Sequence, residues 1–117
     1  MKEQPIFPND IVAKIHALVA LIPKGKVATY GQLAEQVGHN LTAQDVGIIM
    51  SRVPQKLNLP CHRVVNKTGI LAPDYVFGGQ AHQRKLLEEE GVQFMDENRI
   101  DMCHHLWGDQ EQLSLLG

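Results

Sequence analysis

Cys61 stands directly after Pro60 and directly before His62, and this triplet is where the sequence could do chemistry. A cysteine attacks as its thiolate, so it needs a base within reach and positive potential around the sulfur. His62 can serve as the base and Arg63 can supply the charge, with an acidic residue elsewhere to orient the imidazole. On residue types alone, the alternative is a small core cysteine beside an incidental histidine, the commoner fate of free cysteine. A second group, Cys103-His104-His105 with Asp101 nearby, has the residue types of a metal site. No second ligand group stands at zinc-like spacing, so neither a metal nor a cofactor is expected.

Four helices and a few short extended pieces must position these groups. Asn9 or Asp10 can cap a first helix. Ile11, Val12, Ile15, Leu18, Val19 and Ile22 then recur at the three-and-four spacing that collects them on one face. Pro23-Lys24-Gly25 ends that helix. Val27-Ala28-Thr29-Tyr30 is extended and leads to a second helix over Gln32–Val37, stopped by Gly38. Past His39-Asn40, a third helix is expected from Thr42 to Arg52. Two helices joined across a few residues form a helix-turn-helix pattern, with the third as recognition helix. Arg63–Val65 and Ile70-Leu71 read as short strands around the turn Asn66-Lys67-Thr68-Gly69. Gly78-Gly79 precedes a last helix over Gln80–Glu90, ended by Gly91. The polar tail from Val92 offers Ile100, Met102, Leu106 and Trp107 for docking.

At 117 residues and 44% hydrophobic content, the chain is expected to be one domain, 1–117. Its core would lie at about 7–94, with the tail 95–117 docked on it. Eleven basic against thirteen acidic residues give a net charge of -2, which excludes a binder driven by bulk positive charge. The longest apolar stretch, Ile11 to Ile22, is broken by Lys14 and His16, so no membrane span is expected. Met1 to Pro5 lacks the pattern of a secretion signal. Two cysteines point to a reducing, cytoplasmic setting.

The segment Pro60-Cys61-His62-Arg63-Val64-Val65 resembles the signature of the O6-alkylguanine-DNA alkyltransferases, the methylated-DNA–protein-cysteine methyltransferases. Pro23 to Ala34 is similar to the family's approach to its helix-turn-helix, and Val46-Gly47 with Met50 to its recognition helix. Gly78-Gly79 resembles its active-site loop, and Leu86-Leu87 with Glu90-Gly91 its closing helix. The resemblance covers roughly residues 7–94. It implies a mainly α, compact domain of winged helix-turn-helix type, with a short β element beside the active-site segment. It also implies a monomer acting on double-stranded DNA that contains alkylated guanine. The base would be flipped out and its alkyl group moved irreversibly to Cys61. His62 would be the base, acting through a water, and Glu90 the carboxylate orienting it. Tyr30 would donate to the guanine ring, and the carbonyls of Cys61 and Val64 would accept from its exocyclic amine. Thr42, Gln44 and Arg63 are the expected DNA-side residues, with Arg63 also tying the active-site turn to its neighbours.

Four departures bear on that implication. Gln44 stands where the family places an arginine that enters the base stack, and Asp45 beside it would suit a helix dipole while repelling phosphate. Val53 stands where an asparagine commonly braces the recognition helix. The loop between Gly69 and Gly78, which holds Tyr75 and Phe77 in its stretch 72–77, is about two residues longer than in many repair members. The short length and the tail around Asn98–Met102 and Leu106-Trp107 resemble the alkyltransferase-like proteins. Those bind alkylated DNA without transfer and hand the lesion to a nucleotide excision repair factor. Transfer and sensing therefore stand as two readings of one sequence.

Overall fold

Ile11, Ile15 and Val19 form the buried stripe of α1 (Asn9–Leu21), as their spacing requires. The computed structural model describes residues 6–71 and 79–108. The chain enters α1 at Pro8, whose carbonyl accepts from the amides of Ile11 and Val12 at 3.1 Å. Neither Asn9 nor Asp10 caps the helix, contrary to expectation. Proline's fixed φ already sets the approach, which leaves both residues inside the first turn.

The next two helices carry side-chain caps. Thr29 caps α2 (Tyr30–Val37) in a reciprocal box with Gln32, so α2 begins two residues ahead of Gln32. Thr42 caps α3 (Ala43–Ser51) in a second box with Asp45. Between them Gly38, His39 and Asn40 all take positive φ, which turns the chain tightly enough to lay α3 against α2. Leu33, Ala34, Val46, Ile49 and Met50 then close one core cluster with the stripe of α1.

A two-stranded sheet flanks this helical unit. β1 (Ala28–Thr29) and β2 (Val64–Val65) pair in parallel, with Ala28 opposite Val64 and Thr29 opposite Val65. The expected pairing of Arg63–Val65 with Ile70-Leu71 is replaced. Ile70 bridges antiparallel to Arg99 of the tail, and β2 turns to β1 instead. The Asn66 side chain, accepting from Thr68 and Ile70, makes the turn without a hairpin ladder. Gly69, at φ 83°, has Met102 and the carbonyl of Ile100 where a Cβ would sit, so only glycine fits.

A second cluster, Val27, Val65, Leu71, Leu87, Val92 and Ile100, joins the sheet to α4 (Gln80–Glu89) and the tail. The tail includes the short helix α5 (Met102–His105). Val27 donates to the carbonyl of His105 at 2.8 Å and accepts from the amide of Trp107 at 2.7 Å. Gln93 donates its amide to His105 Nε2, so the ring proton lies on Nδ1, which donates to the carbonyl of Gly25. No helix among the described residues is long and apolar enough to cross a membrane. The architecture is the mainly α helix-turn-helix class expected, with its small β element beside Cys61.

Candidate active site and nucleic-acid face

Cys61 begins a single 3-10 turn, Cys61–Arg63, lodged between Pro60 and β2. Its main chain is tied at every step. Cys61 donates to the carbonyl of Leu59 at 2.8 Å and Arg63 to that of Pro60 at 3.0 Å, while Val64 donates to that of Cys61. The half-buried Cys61 packs with Leu59 and Val53 against the helical core cluster. Apolar contact thus links the end of α3 to the turn where the family has an asparagine brace. Burial pushes the Cys61 thiol up, and a backbone hydrogen bond offsets part of that rise.

α4 delivers Glu90, its C-cap residue, to the other side of the turn. His62 Nε2 lies 2.8 Å from Glu90 Oε2. Facing a carboxylate, Nε2 carries the proton, which leaves Nδ1 of the neutral ring as the nitrogen able to accept one. Arg63 grips the same carboxylate with Nε at 2.9 Å from Oε1 and Nη2 at 2.7 Å from Oε2. Its Nη1 donates to the carbonyl of Ile22, just past α1. Burial raises the Glu90 carboxyl, but hydrogen bonds from Arg63 and His62 and the positive charge of the Arg63 guanidinium outweigh it. The group is held below the usual carboxylate range.

Arg63 was expected on the DNA side and as a tie between the active-site turn and its neighbours, and the contacts seen are of the second kind. All three guanidinium nitrogens are engaged inside the protein and the side chain is 12% exposed, so Arg63 is a brace between α1, the Cys61 turn and α4. Val64, expected to offer its carbonyl to the base, follows Arg63 in the chain. It is fully buried in β2, and its carbonyl accepts from Gln83 Nε2 at 3.3 Å. The same amide donates to the carbonyl of His62 at 3.0 Å. Gln83 went unread in the sequence, although it shares the core face of α4 with Leu87, and a polar residue on an apolar stripe is a signal.

Tyr30 opens α2 half-buried, packed on the same cluster as Cys61. Thr42 and Gln44 are exposed at the start of α3. The Asp45 carboxylate accepts from the amide of Thr42 at 3.0 Å, which gives the acid a local task. Gly47 lies mid-helix with nothing within 4 Å of where a Cβ would stand. The loop 72–77 and Gly78 lie outside the described residues. In the tail, His104 Nδ1 holds Asp101 at 2.6 Å and both ring nitrogens of His105 have partners. No cluster of three or more metal-ligating side chains forms among the described residues.

Residues 10–92 match the DNA-binding domain of 6-O-methylguanine DNA methyltransferase. The chain is 32% identical over 103 residues to alkyltransferase-like protein 1 of Schizosaccharomyces pombe, covering 85% of this chain and 95% of that protein. It is 34% identical over 110 residues to the DNA base-flipping protein of Escherichia coli, covering 92% and 78% respectively. The crystal structure of S. pombe Atl1 with damaged DNA containing O6-carboxymethylguanine superposes with a TM-score of 0.74 at 29% identity. That match covers 89% of this chain and all of the other.

Proposed function

Because the chain belongs to the 6-O-methylguanine DNA methyltransferase family, we propose that it flips an O6-alkylated guanine from double-stranded DNA and takes the alkyl group onto Cys61. The observation that carries this reading is the 2.8 Å bond between His62 and Glu90 on the residue next to the cysteine. The thiol proton passes, through a water, to Nδ1 of His62, while Glu90 stabilises the imidazolium that results. The sulfur forms a bond to the alkyl carbon as that carbon's bond to O6 breaks. The electron pair goes to the guanine, and Tyr30 donates a hydrogen bond to the ring as charge develops there. The product is an alkylated cysteine with no route back, so each molecule reacts once. Thr42 and Gln44 sit on the DNA side, and the protein acts as a single-domain monomer.

An oligonucleotide carrying O6-methylguanine tests this. Intact mass should rise by one methyl group on mixing, and Cys61→Ala should show no rise. An unchanged mass together with lesion-selective binding overturns transfer.

That outcome would select the second reading, a lesion sensor that recruits a nucleotide excision repair factor. The match to 95% of the length of alkyltransferase-like protein 1 favours it. So does the burial that pushes the Cys61 thiol up, since the thiolate is the attacking species.

A further inference from the structure

Gln83 and Thr29 are the two buried polar side chains among the described residues, and Thr29 is already accounted for as a helix cap. Gln83 is 0% exposed on α4. Its Nε2 reaches two main-chain carbonyls either side of Arg63, that of His62 in the Cys61 turn and that of Val64 in β2. From Gln83 to Glu90 is two helical turns, so both side chains leave one face of α4. His62 is therefore held twice by the same helix, at its ring by Glu90 and at its carbonyl by Gln83. The peptide orientation of His62 decides where the preceding Cys61 and the following Arg63 stand. One amide on α4 thus fixes the backbone between the thiol and β2.

We propose that Gln83 is a positioning residue for the Cys61 turn, holding the thiol and the base-facing main chain in register for a flipped guanine. This rests on the reading of the turn as the base pocket. A neutral amide suits the task because its two N–H groups satisfy two carbonyls without placing a charge in the core. Losing the amide would free the His62 peptide to rotate, and the thiol would move with it.

The test uses the full chain with Cys103→Ser, so that Cys61 is the sole thiol. Gln83→Met keeps the volume and removes the donor. In free protein, the reaction of Cys61 with iodoacetamide should speed up severalfold once the turn is released. In a Cys61→Ala background, preference for an O6-methylguanine duplex over an undamaged one should fall about tenfold, the size of one or two lost buried hydrogen bonds. Affinity for the undamaged duplex should hold. Gln83→Glu guards against loss of fold. Its carboxyl can donate only when protonated, so lesion preference should return at acidic pH and vanish at neutral pH, a profile absent with Gln83. Unchanged thiol reactivity and unchanged preference in a folded Gln83→Met would overturn the proposal, as would a pH-independent Gln83→Glu. If the parent shows no lesion preference while Gln83→Met still alters the thiol, the pocket reading fails and the positioning role stands.

Discussion

Arg63 and His62 bind the same oxygen of Glu90, at 2.7 Å and 2.8 Å. One carboxylate therefore serves both the structural tie to α1 and the orientation of the candidate base. Perturbing it should move stability and chemistry together, whereas perturbing Arg63 should move stability first.

Arg63→Ala leaves Glu90 without its strongest partner and the carbonyl of Ile22 without a donor. A loss of about 2–4 kcal/mol is expected in urea unfolding. Because the guanidinium is used internally, the salt dependence of DNA binding should not change. A shallower salt slope in the variant would return Arg63 to the DNA face.

The Glu90 carboxyl titrates below its unfolded value, so it contributes stability that is complete above the ordinary carboxylate range. That contribution is lost as pH falls through the lowered folded value. Glu90→Gln should flatten the acid limb of the stability profile and lower stability at neutral pH by about 2 kcal/mol. It should also slow alkyl transfer, because the imidazolium loses its counter-charge. Chemical denaturation at several pH values would show it; an acid limb as steep as before would reject it.

Gln44 is exposed on the first turn of α3, the part of the helix that the proposed function sets against DNA. Gln44→Arg should tighten duplex binding and steepen the dependence of log K on log salt by about 0.9 for one added phosphate contact. An unchanged affinity would mean that α3 does not lie on DNA.

Gly47 is a helix-interior glycine with open space around it and no steric need. Gly47→Ala should raise stability by about 0.5–1 kcal/mol. Gly47→Leu should weaken DNA binding while leaving the fold intact, because the open space would then be closed to a duplex. Thermal melts and binding titrations on both variants decide the point.

How far the sequence shows this depends on whether a feature is local. The stripe Ile11–Ile15–Val19 is a period-of-helix signal, and it places α1 to within a residue. Thr42 and Asp45 stand three apart, a capping spacing, yet an acid at the head of a helix looks equally like a charge facing solvent or DNA until the reciprocal bond to Thr42 is seen. The parallel pairing of β1 with β2 was out of reach. Two residues per strand carry no alternation, and the partners lie far apart in the chain, so an adjacent turn drew Val64–Val65 toward Ile70 instead. At the site, Cys61, His62 and Glu90 were legible through the resemblance of their motifs. Gln83 was not, since its task depends on two carbonyls that no side-chain pattern reveals.

The clasp around Val27, whose amide meets His105 and whose carbonyl meets Trp107, has a consequence for synthesis. Val27 leaves the ribosome early and its partners leave about eighty residues later. Until they emerge, the outer edge of β1 keeps an unpaired amide and carbonyl, and the nascent domain is open there to mispairing. Docking of the tail therefore cannot precede the synthesis of His105 and Trp107. A stalled or slowly translated message would lengthen the interval in which that edge is bare.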